Sequence, residues 1–414
     1  MVVRPVPWTR VGLPLRERDF SLLWSGRFVS GLGDGVFTVA VALEALRVDP
    51  QPVGLAYVLA ARAVPSVVLS LLGGVVVDRV NRRIALILCD LVQGAAVLAV
   101  ALLALLHLIT LWQMILMALV FGTADAFSGP AFLALVPETL PAEALTQANA
   151  LNSAGSELSV NLIGPALGGL AVALVGTVGA FAFDAASFLI SATALGALRH
   201  RATALSSGKS MVAEAREGIR FITSRRWLFL LLIGAAIANL VGMGPYFVLL
   251  PILVRHVLHA TPLALGLVYA SAGAAGVVAS IVVARLGSPR HLLEVMWVAY
   301  STSGLLLALV ALAPNPGLVA LLVAGSAGLV VYGDVLYFTK LQTSVPLALM
   351  GRVSSASYLM VGTLTPLGML LGGVAAATVG AREAFLLSGV LAALCGLVLF
   401  IPGARVLERA PGPA

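Results

Sequence analysis

Four acidic residues lie inside stretches that otherwise carry almost no charge: Asp34, Asp125, Glu157 and Asp334. An ionised carboxylate in hydrocarbon costs at least ~2.5–3.5 kcal/mol on insertion scales, so each needs a reason to be there. The chemistry open to such a group is to take up and return a proton, or to neutralise a neighbouring cation. Two cations share the setting. Arg27 stands seven residues before Asp34 on one helix face, and Arg62 three residues before Pro65. Arg62 is a candidate partner of Asp34 or Glu157. Asp90, Asp184 and Glu294 fall nearer the ends of their apolar runs and are read as structural.

Asp34 sits within Gly31-Leu32-Gly33-Asp34-Gly35, where glycines permit close helix approach; it is either neutralised by a neighbour there or exchanges a proton. Around Glu157 the spacing is more telling. Asn149, Ser153, Glu157 and Asn161 recur every fourth residue, and such a stripe on one helix face lines water or another helix rather than lipid. This makes Glu157 the leading carboxylate for proton coupling, with a structural hydrogen-bond network as the rival. Asp125 and Asp334 are cavity groups or charges paired near a helix end. Phe37, Tyr246 and Tyr337, with Asn239 as a polar anchor, suit the wall of a pocket for bulky lipophilic molecules; packing against neighbours is the alternative for each. No phosphate-binding glycine loop, metal cluster or nucleophile–base arrangement is present, so the sequence predicts neither an enzyme nor a bound cofactor or metal.

The elements that must hold these groups follow from composition. Of 414 residues 60% are hydrophobic and only 10% charged, against about 25% charged in soluble domains, so the chain is integral to a membrane. The spacing predicts an all-α protein of twelve spans: 20–46, 53–77, 84–106, 111–135, 144–174, 177–198, 227–257, 262–284, 291–312, 317–340, 350–378 and 382–402. They divide into a six-helix half at 1–198, a linker at 199–226 with a short amphipathic helix, a second half at 227–402, and a tail at 403–414. The first run is a full span rather than a cleavable signal. On this count 20 of the 25 Lys and Arg fall on one face and three on the other, which places both termini in the cytoplasm. The net charge of +7 is therefore a matter of sidedness and does not indicate nucleic acid.

Traces of repetition connect the halves. Asp125 precedes Val136-Pro137 by the interval at which Asp334 precedes Val345-Pro346, a shift of 209 residues. Gly164-Pro165-Ala166-Leu167-Gly168-Gly169 is echoed by Thr365-Pro366 and Gly372-Gly373, and its proline and glycines make a candidate hinge. Between the second and third spans lies a tight basic turn, Gly74-x-x-x-Asp78-Arg79-x-Asn81-Arg82-Arg83.

That turn resembles the loop between helices 2 and 3 of the major facilitator superfamily, with Asn81 where the family generally has glycine. The Gly164 to Gly169 stretch resembles the core of the fifth-helix motif of its drug/proton antiporters. Arg18-Asp19-Phe20, Gly33-Asp34 and Glu217-Gly218-Ile219-Arg220-Phe221 are similar to the bacterial branch holding macrolide-efflux and enterobactin-exporter-type proteins. The resemblance implies two pseudo-symmetric six-helix halves rocking about a central cavity. It implies a monomer in the bacterial inner membrane, surrounded by lipid, exporting lipophilic small molecules (drugs, antibiotics or siderophore-like compounds) against protons. Gly74, Asp78, Arg79, Arg82 and Arg83 would form a cytoplasmic gating latch. The family's usual fourth-helix arginine is missing, and Asp125 occupies that helix instead. An importer or uncoupled facilitator, or a membrane sensor or scaffold that transports nothing, are the rival readings.

Overall fold

The computed structural model describes residues 13–199, 211–286, 289 and 291–407, with the backbone alone at 70–79, 211–216, 397–407 and scattered helical positions. The side chains of Gly74, Asp78 and Arg79 thus lie outside the described set. Long apolar runs with no water to satisfy their backbones are stable only as helices or closed barrels, and here all are helices; no strand occurs among the described residues. The first four are α1 (Arg18–Val48), α2 (Pro52–Arg79), α3 (Arg82–Leu105) and α4 (Leu111–Leu135). Helix α5 (145–175) passes through a π turn over Glu157–Ile163 before continuing from Gly164. It meets α6 (177–196) at Gly176, which interrupts the helix with φ 71° and ψ 179°, a conformation that favours glycine.

After the short α7 (Met211–Ser224) come α8 (226–257), α9 (Pro262–Leu286), α10 (Leu292–Val310), α11 (Pro316–Ser344), α12 (347–379) and α13 (Ala381–Leu407). Among the described residues nine stretches are long and apolar enough to cross a membrane, one of them the 52-residue Leu145–Gly196 that contains both α5 and α6. With α10, whose apolar part is shorter, and α13, the chain makes twelve crossings, α7 aside.

Local chemistry sets the turns. Asn81 has φ −66°, so it is not in the left-handed region; its side chain instead caps α3 by accepting from the Ile84 amide at 3.2 Å. Asn315 caps α11 in the same way through the Leu318 amide at 2.9 Å. At the far end of α1, fully buried Glu44 is held by Arg47 at 2.5 Å and by the Thr177 hydroxyl at 2.6 Å, which fixes α1 to the start of α6.

Helices α1 to α6 pack mainly on one another, α1 on α6, α2 on α4 and α3 on both α4 and α6. In the second group α9 packs on α11, and α10 on α11 and α13. Contacts between the groups run through α2 with α12 and α5 with α9. The cores show where the groups join. At the end away from the basic turns a single apolar core takes in residues of both, among them Phe37, Leu55, Phe121, Leu249, Leu265, Val319 and Phe385. At the basic end the cores are separate, one built on Phe20, Leu86 and Leu195, the others on Leu228, Val353 and Leu231, Met296. The molecule is therefore closed at one end and cleft at the other.

Candidate functional site

The first group assembles its ionisable side chains around one cation. Helices α2 and α4 cross where Gly122 lies against the backbone of Arg62, and Ser66 donates to the Gly122 carbonyl at 3.0 Å. This close crossing brings the Arg62 guanidinium onto Asp125, with Nη2 and Nε at 3.2 and 3.3 Å from Oδ2. Gln93 of α3 donates to the other Asp125 oxygen at 2.8 Å, and Asp34 of α1 stands 3.7 Å from Nη2. The guanidinium lies over the Phe121 ring at 4.3 Å and near Phe37 at 5.3 Å, so part of its charge is balanced by aromatic faces. Phe37, expected in a cavity wall, is 1% exposed and stacked on Phe121; its place is packing behind Arg62.

The partnership expected for Arg62 is thus settled in favour of Asp34, joined by Asp125 rather than Glu157. Asp184, read as structural from its position near a run's end, is fully buried beside this cluster. A methyl group on Gly33, the residue before Asp34, would overlap the Asp184 carboxylate and the Ser187 hydroxyl. Sequence spacing gave no sign that Gln93 and Asp184 join this cluster, because the packing of α3 on α4 and of α6 on α1 brings them in.

On α5 the polar stripe faces the cleft. Asn149, Ser153 and Asn161 are exposed, Glu157 is half-buried, and Asn161 donates to Glu157 at 3.0 Å. Across from it, Gly273 of α9 packs on the Asn161 carbonyl, and Gly276 lies against Glu157, where a methyl group would touch the carboxylate and Val331. No Lys or Arg lies within ion-pair distance of Glu157 among the described residues. Arg27 is exposed farther toward the basic end, its guanidinium 5.8 Å from the Phe132 ring.

The second group answers with neutral chemistry. Asp334 of α11 is exposed and accepts from the Tyr300 hydroxyl of α10 at 2.6 Å. Tyr337 packs against Phe338, and Tyr246 against Phe247, each edge to face. Asn239, in a π turn of α8, spends its amide on the Val361 carbonyl of α12 at 3.0 Å.

Small residues make the crossings that close the other end. Gly164 and Gly168 of α5 lie against Gly35 and Val36 of α1, while Gly169 reaches α9 at Pro262, Leu263 and Gly266. The echo in α12 behaves alike: Gly368 and Gly372 lie against Gly244 and Pro245 of α8, and Gly373 reaches α2 at Pro52, Val53 and Ala56. Pro165 is buried within the first of these contacts, which tie helices within and between the groups. At the basic turn, Arg82 is bound to Glu138 and the Ala134 carbonyl, and Arg83 to the Gly196 carbonyl, so α3 is strapped to the ends of α4 and α6.

Comparison with known proteins fits this arrangement. The family described as transmembrane secretion effector matches residues 10–410. Multidrug efflux pump Tap of Mycolicibacterium fortuitum is 28% identical over 408 residues, covering 95% of this chain and 98% of that protein. Macrolide efflux protein A of Streptococcus pyogenes is 22% identical over 383 residues, covering 90% and 93%. Among solved structures, a bacterial homologue of the human lysosomal transporter Spinster, inward-facing and occupied, superposes with a TM-score of 0.78 at 12% identity over 97% of this chain and 99% of that one. A bacterial homologue of the iron transporter ferroportin, also inward-facing, gives 0.70 at 18% identity over 94% and 98%.

Proposed function

The chain belongs to the transmembrane secretion effector family of major facilitator transporters, and from that premise we propose that it exports lipophilic small molecules in exchange for protons. It is a multi-pass membrane protein and a transporter rather than an enzyme. The efflux pumps named among its relatives support the outward direction, and the excess of Lys and Arg at one end supports placing that end and both termini in the cytoplasm.

In this reading the described state is open to the cytoplasm. A lipophilic substrate enters the cleft from that side and rests among Arg27, Asn149, Ser153 and Asn161 of the first half and Asn239, Tyr246 and Tyr337 of the second. Halves 1–198 and 227–402 then rock about the glycine crossings at Gly164, Gly168 and Gly169, joined by the 199–226 linker, and expose the cleft outside. Protons load there onto Asp34 and Glu157, with Asp125 and Asp334 as accessory carboxylates, and are released inside when the cleft returns. Arg82 and Arg83, with Gly74, Asp78 and Arg79, latch the cytoplasmic turn. The protein works as a monomer in the bacterial inner membrane.

The observation that carries this reading is half-buried Glu157 with Asn161 as its partner and, among the described residues, no Lys or Arg within ion-pair distance. A carboxylate so placed is free to load and unload. The test is transport in proteoliposomes under an imposed pH gradient, across a panel of antibiotics and siderophores. Glu157→Gln should abolish gradient-driven efflux while leaving folded protein in the membrane; unchanged efflux removes Glu157 from the mechanism. Wild-type transport indifferent to collapse of the gradient would instead favour an uncoupled facilitator.

A further inference from the structure

Helix α6 carries a carboxyl group that the scheme above leaves without a task. Asp184 is fully buried, at 0% exposure, and neither of its carboxylate oxygens has a hydrogen-bond partner. The Ser187 hydroxyl beside it is spent on the Asp184 backbone carbonyl at 2.7 Å. No Lys or Arg lies within ion-pair distance of it among the described residues. The charged groups facing it are Asp34 on α1, Arg62 on α2 and Asp125 on α4; Asp90, on α3, points at the same face of α6 nearer Ser191.

The charge count decides its state. Arg62 already serves both Asp125 and Asp34, which leaves that triad one negative charge in excess if all three are ionised. An ionised Asp184 would add a second unpaired charge in a sealed site, at several kcal/mol. A neutral acid there costs far less. What makes the proton exchangeable rather than trapped is Gly33. Its missing side chain lets the Asp184 carboxyl lie directly on α1, one residue from Asp34, and Gly26 gives α1 a second close contact on α6 at Ser191 and Ala194. Asp34 itself keeps 15% of its side chain exposed, and Arg62 29%, so the pair reaches accessible surface where Asp184 does not.

We propose that Asp184 is the resting store of the coupling proton, and that the proton and the Arg62 guanidinium trade places between Asp184 and Asp34 during the transport cycle. The exchange balances. The O–H bond of the Asp184 acid breaks and one forms on an Asp34 oxygen, while Arg62 leaves Asp34 and becomes the counter-ion of the Asp184 carboxylate. The charge of the cluster is constant throughout. Asp34, now protonated and at the accessible edge, releases its proton to the cleft. When the cleft faces outside, Asp34 takes up a proton there and passes it to Asp184 by the reverse exchange, Arg62 returning to Asp34. This rests on the antiport reading and gives the proton taken up by Asp34 a place to be held.

Infrared spectroscopy of the purified protein tests it without any substrate. At neutral pH the wild type should show the carbonyl stretch of a neutral carboxylic acid, shifting on transfer to deuterium oxide, and Asp184→Asn should lose it. Asp90→Asn should keep it. The discriminating variant is Asp34→Asn, which frees Arg62 for Asp184: the band should vanish although Asp184 is intact, whereas an acid with a merely structural role would keep it. In proteoliposomes Asp184→Asn should lower the gradient-driven accumulation ratio of a macrolide probe by about tenfold for an imposed difference of about one pH unit, the driving force of one coupled proton. No neutral-acid band in the wild type, or a band that survives in Asp184→Asn or in Asp34→Asn, overturns the proposal, and the first of these needs no variant to fold. Wild-type efflux that ignores the gradient would sink the antiport reading and this one together; a gradient-driven wild type with a surviving band sinks this one alone.

Discussion

Asp125 and Asp334 stand at corresponding places in the two groups of helices, 209 residues apart, yet their surroundings differ in kind. Asp125 is held by Arg62 and Gln93 inside a cluster that includes Asp34. Asp334 has one neutral partner, the Tyr300 hydroxyl. By the same interval Asp34 and Arg62 map onto Met243 and Ser271, and Ser271 only donates to the Val268 and Ala320 carbonyls. The scaffold is repeated and the charge is not. Groups of ionisable side chains are expensive inside a membrane and are kept where they have work to do. In the proposed scheme the contrast favours ion handling by the first group, while the second presents Asp334 with a neutral partner beside its aromatic residues.

Substitution can break that contrast. The largest effect should come from Arg62→Gln, which strips the cation from two half-buried carboxylates. A loss of about 3–5 kcal/mol is the usual cost of leaving such a charge unpaired. It should appear as a large fall in melting temperature on fluorescence-detected size exclusion, and adding Asp125→Asn should restore much of it. Where the groups are alike, the outcome should be alike. Gly266→Leu and Gly373→Leu each force a side chain into a crossing of backbones, α5 on α9 and α12 on α2, at roughly 1–3 kcal/mol of overpacking in the closed state. Both should open the far end and slow alkylation, from the basic end, of a cysteine placed at Ser153. Unequal outcomes would mean that the two crossings do not share the load. The smallest effect belongs to Tyr300→Phe, which removes one neutral donor from an exposed carboxylate at about 0.5–1.5 kcal/mol. A loss of stability as large as that of Arg62→Gln would show that Asp334 is embedded in a network after all.

Much of this was legible in the residues themselves. Span limits followed from apolar runs bounded by polar and basic turns; the structure adds the local reasons, since Pro52, Pro262 and Pro316 open helices and Asn81 and Asn315 cap them. The amphipathic pattern from Val212 to Ile222 announced α7, whose Ile222 is buried against Leu228 and Val353. The stripe from Asn149 to Asn161 announced a face of α5 that stays largely uncovered, with Asn161 bonded to Glu157. What sequence could not supply was which helix faces which. Arg62 had two candidate acids and found one of them, plus Asp125, because Gly122 draws α4 against α2. Asp184 lay hidden for a related reason. Position within an apolar run says how deep a residue sits, and says nothing of the glycine that waits opposite it on another helix. Phe37 misled because an aromatic side chain looks the same in sequence whether it lines a cavity or backs a guanidinium.

Gly176 makes α5 and α6 a single bent rod, with one residue as its elbow, and Thr177 pins that elbow to Glu44 of α1. The arm bearing Glu157 and the arm bearing Asp184 therefore meet at one residue and share one anchor on α1. In the proposed cycle that shared elbow lies on the shortest covalent route between the two carboxyl groups.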